Sequence, residues 1–239
     1  MGTSWYASRG ALAAAVIGGV LAGTAACGGG GGGGPANPLA GMTASQIGNK
    51  AVADLKAASS VHFAGPIAES GATYTVDLTA GTKNCTGTMG ISGKGSFALL
   101  KIGSTIWIKP DNQFWTANGA TPAVLAVVGG KWLQSTTSDS NLTDVSELCV
   151  PSQLASLFGG KLNNVVKGTT TTIGGQSALE LKDTSDSSSA YVSVSATPEF
   201  LQLNGGSSSG QLNFSDYNAP VNVSAPPAGQ TIQGSKVGF

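Results

Sequence analysis

The sequence predicts an α+β protein, an antiparallel sheet of about ten short strands with a few short helices over its apolar face. Three observations lead there. Residues 73–109 and 164–223 alternate apolar and polar side chains and are cut by glycine turns. The stretch between them loses that alternation and carries helix-start residues, and one amphipathic segment precedes the whole series.

The chain opens with Arg9, an apolar run from Ala11 to Ala22, the small residues Thr24, Ala25 and Ala26, then Cys27 and seven glycines, Gly28–Gly34. Charge, apolar run and small residues are the three parts of an export signal. The run is too short and too broken by glycine to span a bilayer. Residues 1–26 therefore read as a lipoprotein signal, with Cys27 as the lipid-modified first residue and residues 27–42 as a tether that cannot pack. Such signals usually carry Leu three residues before the cysteine; here Thr24 stands there and Leu21 lies further upstream, so a secreted chain without lipid is the alternative. One acyl chain anchors weakly, and stable attachment takes a multiply acylated cysteine. The expected location is the outer face of the cytoplasmic membrane.

From Thr43 to Ser59 the residues Ile47, Val52 or Ala51, and Leu55 recur at helical spacing, with Thr43 or Ser45 available as a cap. His62 and Phe63 mark the start of a strand. The period then switches to two: Tyr74, Val76 and Leu78 alternate with Thr73, Thr75 and Asp77, and strands follow at Cys85–Ile91, Ser96–Ile102 and Thr105–Lys109. Thr121–Val128, with Pro122 suited to a first turn, is the next helix. Asp144–Phe158 follows, capped by Asp144 and split by Pro151 into two short helices. Strands resume at Asn164–Ile173, Gln176–Lys182, Ala190–Ser195, Glu199–Leu203, Gln211–Phe214 and Val221–Val223, with Gly174-Gly175 as a hairpin turn. Residues 43–228 form the domain, and residues 229–239 are expected as a flexible tail.

Eleven lysines, scattered from Lys50 to Lys236, stand against twelve acidic groups after residue 26, where no arginine occurs. No basic cluster is present to neutralise phosphates, so nucleic acid is not an expected partner. With Cys27 taken by the anchor, Cys85 and Cys149 remain as a pair in an oxidising setting, and a disulfide is expected. A metal site or a catalytic thiol is the alternative, but no CxxC motif and no histidine beyond His62 support either. A Ser-His-Asp arrangement would need His62, which stands at a strand start. The acidic pairs Asp144 with Glu147 and Asp183 with Asp186 sit in helix-start and serine-rich turn contexts, where capping and solvation account for them. The glycine run lacks a following Lys-Ser or Lys-Thr and is no phosphate loop. No enzyme, cofactor or metal is expected.

The closing segment Phe214-Ser215-Asp216-Tyr217-Asn218-Ala219-Pro220-Val221-Asn222-Val223-Ser224-Ala225-Pro226-Pro227 resembles that of the LppX/LprAFG lipoproteins of actinobacterial envelopes. The early helix, Trp107 within Thr105–Lys109, the Phe114-Trp115 pair and the central helices fall in the same order, over roughly residues 40–228. The resemblance implies a strongly curved antiparallel half-barrel, similar to the periplasmic carriers of the Lol type, around an apolar cavity for lipid chains. It implies a lipid or lipoglycan ligand, a membrane through the anchor, and an envelope export partner. On that fold the cavity residues are Tyr74, Val76, Leu78, Phe97, Leu99, Ile106, Ile108, Leu125, Val128, Leu154, Leu157, Leu179, Leu181, Leu201 and Leu203, with Trp107 and Trp132 at an entrance. Each serves equally as ordinary core. A sheet closed on a solid core, acting through its outer surface, stays open as the alternative.

Overall fold

A computed structural model describes residues 37–69, 71–206 and 210–236. The signal, Cys27 and the glycine run lie outside the described residues. Helix α1 (Ala44–Ala57) opens with a capping box: the Thr43 hydroxyl accepts from the Gln46 amide and the Gln46 side chain accepts from the Thr43 amide. Strands β1 (Ser60–Glu69), β2 (Ala72–Gly81), β3 (Asn84–Ile91), β4 (Gly95–Ile102) and β5 (Thr105–Pro110) follow. An arm of two helices, α2 (Asn112–Ala117) and α3 (Pro122–Val128), leads to β6 (Trp132–Thr136). Helices α4 (Thr143–Leu148) and α5 (Pro151–Ser156) are divided as expected at Pro151. Strands β7 (Val165–Ile173), β8 (Gln176–Asp183), β9 (Ser189–Ser193), β10 (Phe200–Asn204), β11 (Gln211–Ser215) and β12 (Thr231–Gln233) complete the fold.

All twelve strands join one curved, unclosed sheet in the order β12-β6-β5-β4-β3-β2-β1-β11-β10-β9-β8-β7. Two meanders, β1 to β6 and β7 to β11, meet where β1 pairs with β11, and every pairing is antiparallel except β12 with β6. The fold class predicted from the sequence is the one observed.

Three strands go beyond the expected series or alter it. β6 reads Trp-Leu-Gln-Ser-Thr, with Leu133 its only buried side chain, so it shows no apolar period. β12 falls in the expected tail; its Thr231–Gln233 backbone pairs in parallel with Trp132–Gln134. Val221–Val223, by contrast, is not a strand. Prolines 220, 226 and 227 supply no amide donors; after a turn at Tyr217 and Asn218, residues 219–227 run as a strap with no ladder of their own, and a 3-10 turn at Ala228–Gln230 ends it. The strap passes Asn84, whose side chain donates to the Val221 carbonyl at 3.3 Å, and reaches Lys131, whose ammonium donates to the Gly229 carbonyl at 3.1 Å.

The residues leading into it explain the chemistry of the closing segment. Asp216 and Asn218 adopt positive φ (51° and 61°), which Asp and Asn tolerate better than other side chains. Asn218 Oδ1 then accepts from the Ser59 amide at 2.9 Å, and the Asn218 amide donates to the Ser60 carbonyl. Tyr217 turns inward and its hydroxyl donates to the Phe200 carbonyl at 3.1 Å.

Two glycines are required where strands bend together. Gly65 in β1 and Gly87 in β3 have φ near 150°, and a side chain at either would collide with a carbonyl of the neighbouring strand, Gln211 or Asp77. Gly87 also stands across from Leu78 and Leu99, so it leaves room on the inner face for both.

The register defines two rims. The turns from β1 to β2 and β3 to β4, the arm after β5 and the start of β7 lie at an upper rim. The turns from β2 to β3 and β4 to β5 and the loop after β6 lie at a lower one. α1 runs from the upper rim to the lower: Ser45 Oγ donates to the Asn163 carbonyl just before β7, and Ala57 leads into β1 at Ser60. The arm is clamped to the upper rim by Asp111, which caps α2 through the Phe114 amide at 2.6 Å and also accepts from the Ser96 amide and hydroxyl at 2.9 and 2.8 Å. Burial alone would raise the Asp111 carboxyl, but these hydrogen bonds hold it below the usual range.

Candidate functional site

The interior lies between the inner sheet face and helices α1, α4 and α5. Period two puts Val61 and Phe63 of β1, Val76, Leu78 and Ala80 of β2, Leu99 of β4, and Ile106 and Ile108 of β5 on that face, all buried. α1 turns Ala44, Ile47, Ala51 and Leu55 toward it, and α5 contributes Leu154 and Ala155. Gly48 of α1 leaves the gap that Leu162 fills. Four phenylalanines form the floor under α5. Phe200 lies 5.8 Å from Phe158 and 6.1 Å from Phe214, and Phe214 lies 6.1 Å from Phe63 and 6.4 Å from Phe158.

The expected cavity residues come together, though not all of them. Val76, Leu78, Leu99, Ile106, Ile108, Val128, Leu154, Leu179 and Leu181 belong to one buried cluster, and Phe97, Leu125 and Leu203 pack half-buried against it. Tyr74 is half-buried toward the upper rim. Leu157 is 48 % exposed, because α5 ends at Ser156 and the last turn carries it outward. Leu201 is buried but outside the cluster: β10 shifts register against β9 between Phe200 and Gln202, and Phe200 and Leu203 keep the inward places. Trp107 is buried and Trp132 half-buried under the Lys109 ammonium, which lies 5.9 Å from its ring centre. The sequence reading missed Phe63, Phe158, Phe200 and Phe214 as a group, since ring contacts between residues this far apart follow only from strand pairing.

In this conformation the side chains of the interior are shielded from solvent. Phe63, Phe200, Leu78, Leu99, Ile106, Ile108, Leu154 and Leu181 are each at most 2 % exposed, covered by their neighbours on nearly every side. Two open concavities, of about 620 and 660 Å³, have polar groups on their walls: one is lined by Ser96, Lys109, Asp111 and Asn112 together with the expected cavity residues Phe97 and Leu125, the other by Glu180, Asp183 and Ser187.

Few polar groups enter the interior. Lys101 of β4 stands on the same face as Cys85 and Ile106, 5 % exposed, with its ammonium 3.5 Å from the Lys83 carbonyl; burial lowers its pKa. Trp115 Nε1 is buried with no partner among the described residues. Cys85 and Cys149 are bonded, with Cα atoms 5.4 Å apart, and join the start of β3 to the end of α4. The expected disulfide is present. His62 points away from the interior, with Nε2 2.9 Å from Asp77 and Nδ1 3.0 Å from Ser215 Oγ. Among the described residues no group of His, Cys, Asp and Glu is placed to hold a metal, and no helix is long and apolar enough to cross a membrane.

Glu199 and Tyr217 meet α1 near the lower rim. Burial, then the nearby Asp54, raises the Glu199 carboxyl above its ordinary value of 4.5, and burial followed by Glu199 raises the Tyr217 phenol. A carboxyl raised in the folded state takes up its proton first in that state, so stability rises as pH falls from neutral toward 4.5. Glu199→Gln is expected to be more stable than the wild type at pH 7 and to lack that rise. Urea midpoints at pH 7 and pH 5 measure it, and an equal pH dependence in both proteins would remove Glu199 as the cause.

No protein-family model and no curated protein sequence matches the chain. Among solved structures it is similar to LprF from Mycobacterium bovis at 13 % identity and a TM-score of 0.52, over 77 % of this chain and 96 % of that one. An uncharacterized conserved protein from Thermus thermophilus aligns at 10 % identity and a TM-score of 0.34, over 80 % and 98 %. At the level of fold, the curved open sheet with its few helices is the one that LprF has.

Proposed function

We propose that the protein is a cell-envelope lipoprotein, anchored through Cys27, that takes acyl chains of a lipid or lipoglycan between sheet and helices and carries them without covalent chemistry. One observation carries the reading: part of the cover over the apolar sheet face is α4 and α5, two six-residue helices with no side-chain cap at either start, and Phe158 just after α5 meets the aromatic floor. Helices this short hold their shape only through packing. The cover is fixed between its two helices, at Cys149, by the disulfide, while Phe158, just past the end of α5, lies against the rings of Phe200 and Phe214.

The magnitudes permit opening. Withdrawing Leu154 and Phe158 from the floor costs about 2–3 kcal/mol each in lost burial, while a dozen methylenes entering the space contribute about 10 kcal/mol. A ligand of that length more than offsets the exposure. The near-complete burial of the inner side chains favours a second reading, a filled half-barrel that acts through its outer surface.

Native mass spectrometry with lipid extraction, on residues 35–239 from an actinobacterial host, separates the two. Residues 36–239 form one compact unit. The carrier gives discrete added masses that extract as acylated species. Phe158→Ala is then expected to bind a fluorescent fatty acid roughly tenfold more tightly, since about 1.4 kcal/mol less is spent on opening. A bare mass with no uptake by either protein establishes the filled module.

A further inference from the structure

α3 is apolar on every side, with no polar side chain from Pro122 to Gly130. A helix of that composition belongs in a core. Yet only Val128 is buried and Leu125 half-buried, while Val124 and Val127 are 42 % and 60 % exposed and Pro122, Ala123 and Ala126 are exposed with them. The helix is nonetheless fixed in place: Thr121 caps it, the Gly129 amide donates to the Leu125 carbonyl, and the Asp111 clamp holds the arm that bears it.

Its position supplies the partner. The arm leaves β5 at Pro110, on the upper rim. The described residues begin on that same rim, where the Leu39 and Ala40 carbonyls accept from Lys167 Nζ near the start of β7 at 3.1 and 3.4 Å. Cys27 precedes Asn37 by ten residues, a span of at most about 35 Å when fully extended. An anchor at Cys27 therefore holds the rim that carries α3 close to the bilayer. Lys109 shares a groove with Asp111, Leu125 and Gly129, its ammonium lies over Trp132, and Lys131-Trp132 follows the helix directly, a border of ammonium groups and an indole suited to lipid headgroups.

We propose that α3 seats in the surface of the bilayer to which Cys27 is anchored, with Val124 and Val127 at the acyl boundary. Four or five small apolar side chains bind lipid weakly alone, but the tether keeps them at high local concentration, so the two contacts reinforce each other. Docked in this way, the upper rim faces the lipid surface. The inference rests on anchoring at Cys27 and not on lipid uptake.

The test uses the full lipidated chain in vesicles of phosphatidylethanolamine and phosphatidylglycerol. With Cys27 acylated and Cys85 bonded to Cys149, Val127→Cys presents one free thiol for an environment-sensitive dye. Blue-shifted emission, quenched several-fold more strongly by nitroxide-labelled lipid than a dye at Ser138→Cys on the lower rim, is the expected result. A chain that floats with the vesicles while its Val127 dye stays as wet as the Ser138 dye overturns the proposal alone. A chain that fails to float overturns the anchoring, and the proposal with it. A blue shift that needs no vesicles and grows with protein concentration also overturns it, in favour of a second copy of the chain.

Discussion

Reduction of the Cys85–Cys149 bridge is expected to lower the unfolding free energy by about 4 kcal/mol, the chain-entropy value for the loop of 64 residues it closes. Both cysteines are fully buried, so replacing them with alanine adds a packing loss to the lost crosslink. The bridge also ties the middle of the α4–α5 cover to the start of β3. In the reduced protein, amides of residues 143–156 should lose hydrogen-exchange protection before those of β2 and β3, because neither helix has a side-chain cap of its own. Urea unfolding of the oxidised protein and the Cys85→Ala, Cys149→Ala variant measures the difference. A loss below about 1 kcal/mol would show that the unfolded chain keeps these segments together without the bond.

The second large effect concerns the floor of the interior. Phe200→Ala is expected to cost about 3–5 kcal/mol, the range for truncating a fully buried ring whose surroundings relax only in part. Phe200 is 0 % exposed, touches Phe158 and Phe214, and its own carbonyl holds Tyr217. The shift is read as a lower urea midpoint at unchanged slope. A cost near 1 kcal/mol would mean that the neighbouring rings collapse easily into the space, and with it that the floor is soft enough to part around a ligand without help from the α5 end.

Much of this was legible in the sequence where the signal is local. Thr43, one of the two caps the residues offer, starts α1, Pro151 divides the central helices, and Gly174-Gly175 turns β7 into β8. The disulfide followed from a count of three cysteines, one of them assigned elsewhere. What escaped depends on distant partners. β6 has one core side chain and is a strand because β5 lies beside it, and β12 exists only because the proline strap delivers Thr231 to Trp132. Leu201 was placed inward by simple alternation, which a bulge invisible in the residues undoes. Whether the interior is open or packed is a property of volumes summed over many side chains, and no residue pattern reports it.

The seam between the meanders sets an order of events. Nearly every other pairing joins strands that follow one another in the chain, but His62 meets Ser215 across 153 residues. A chain made from its N terminus therefore completes β1 through β6 while one backbone edge of β1 has nothing to bind. Open edges recruit foreign strands. β1 meets that hazard with its own sequence: Pro66 offers no amide, and Gly65 bends the strand at φ 148°. The irregularity within β1 is thus also what keeps its edge quiet until β11 arrives.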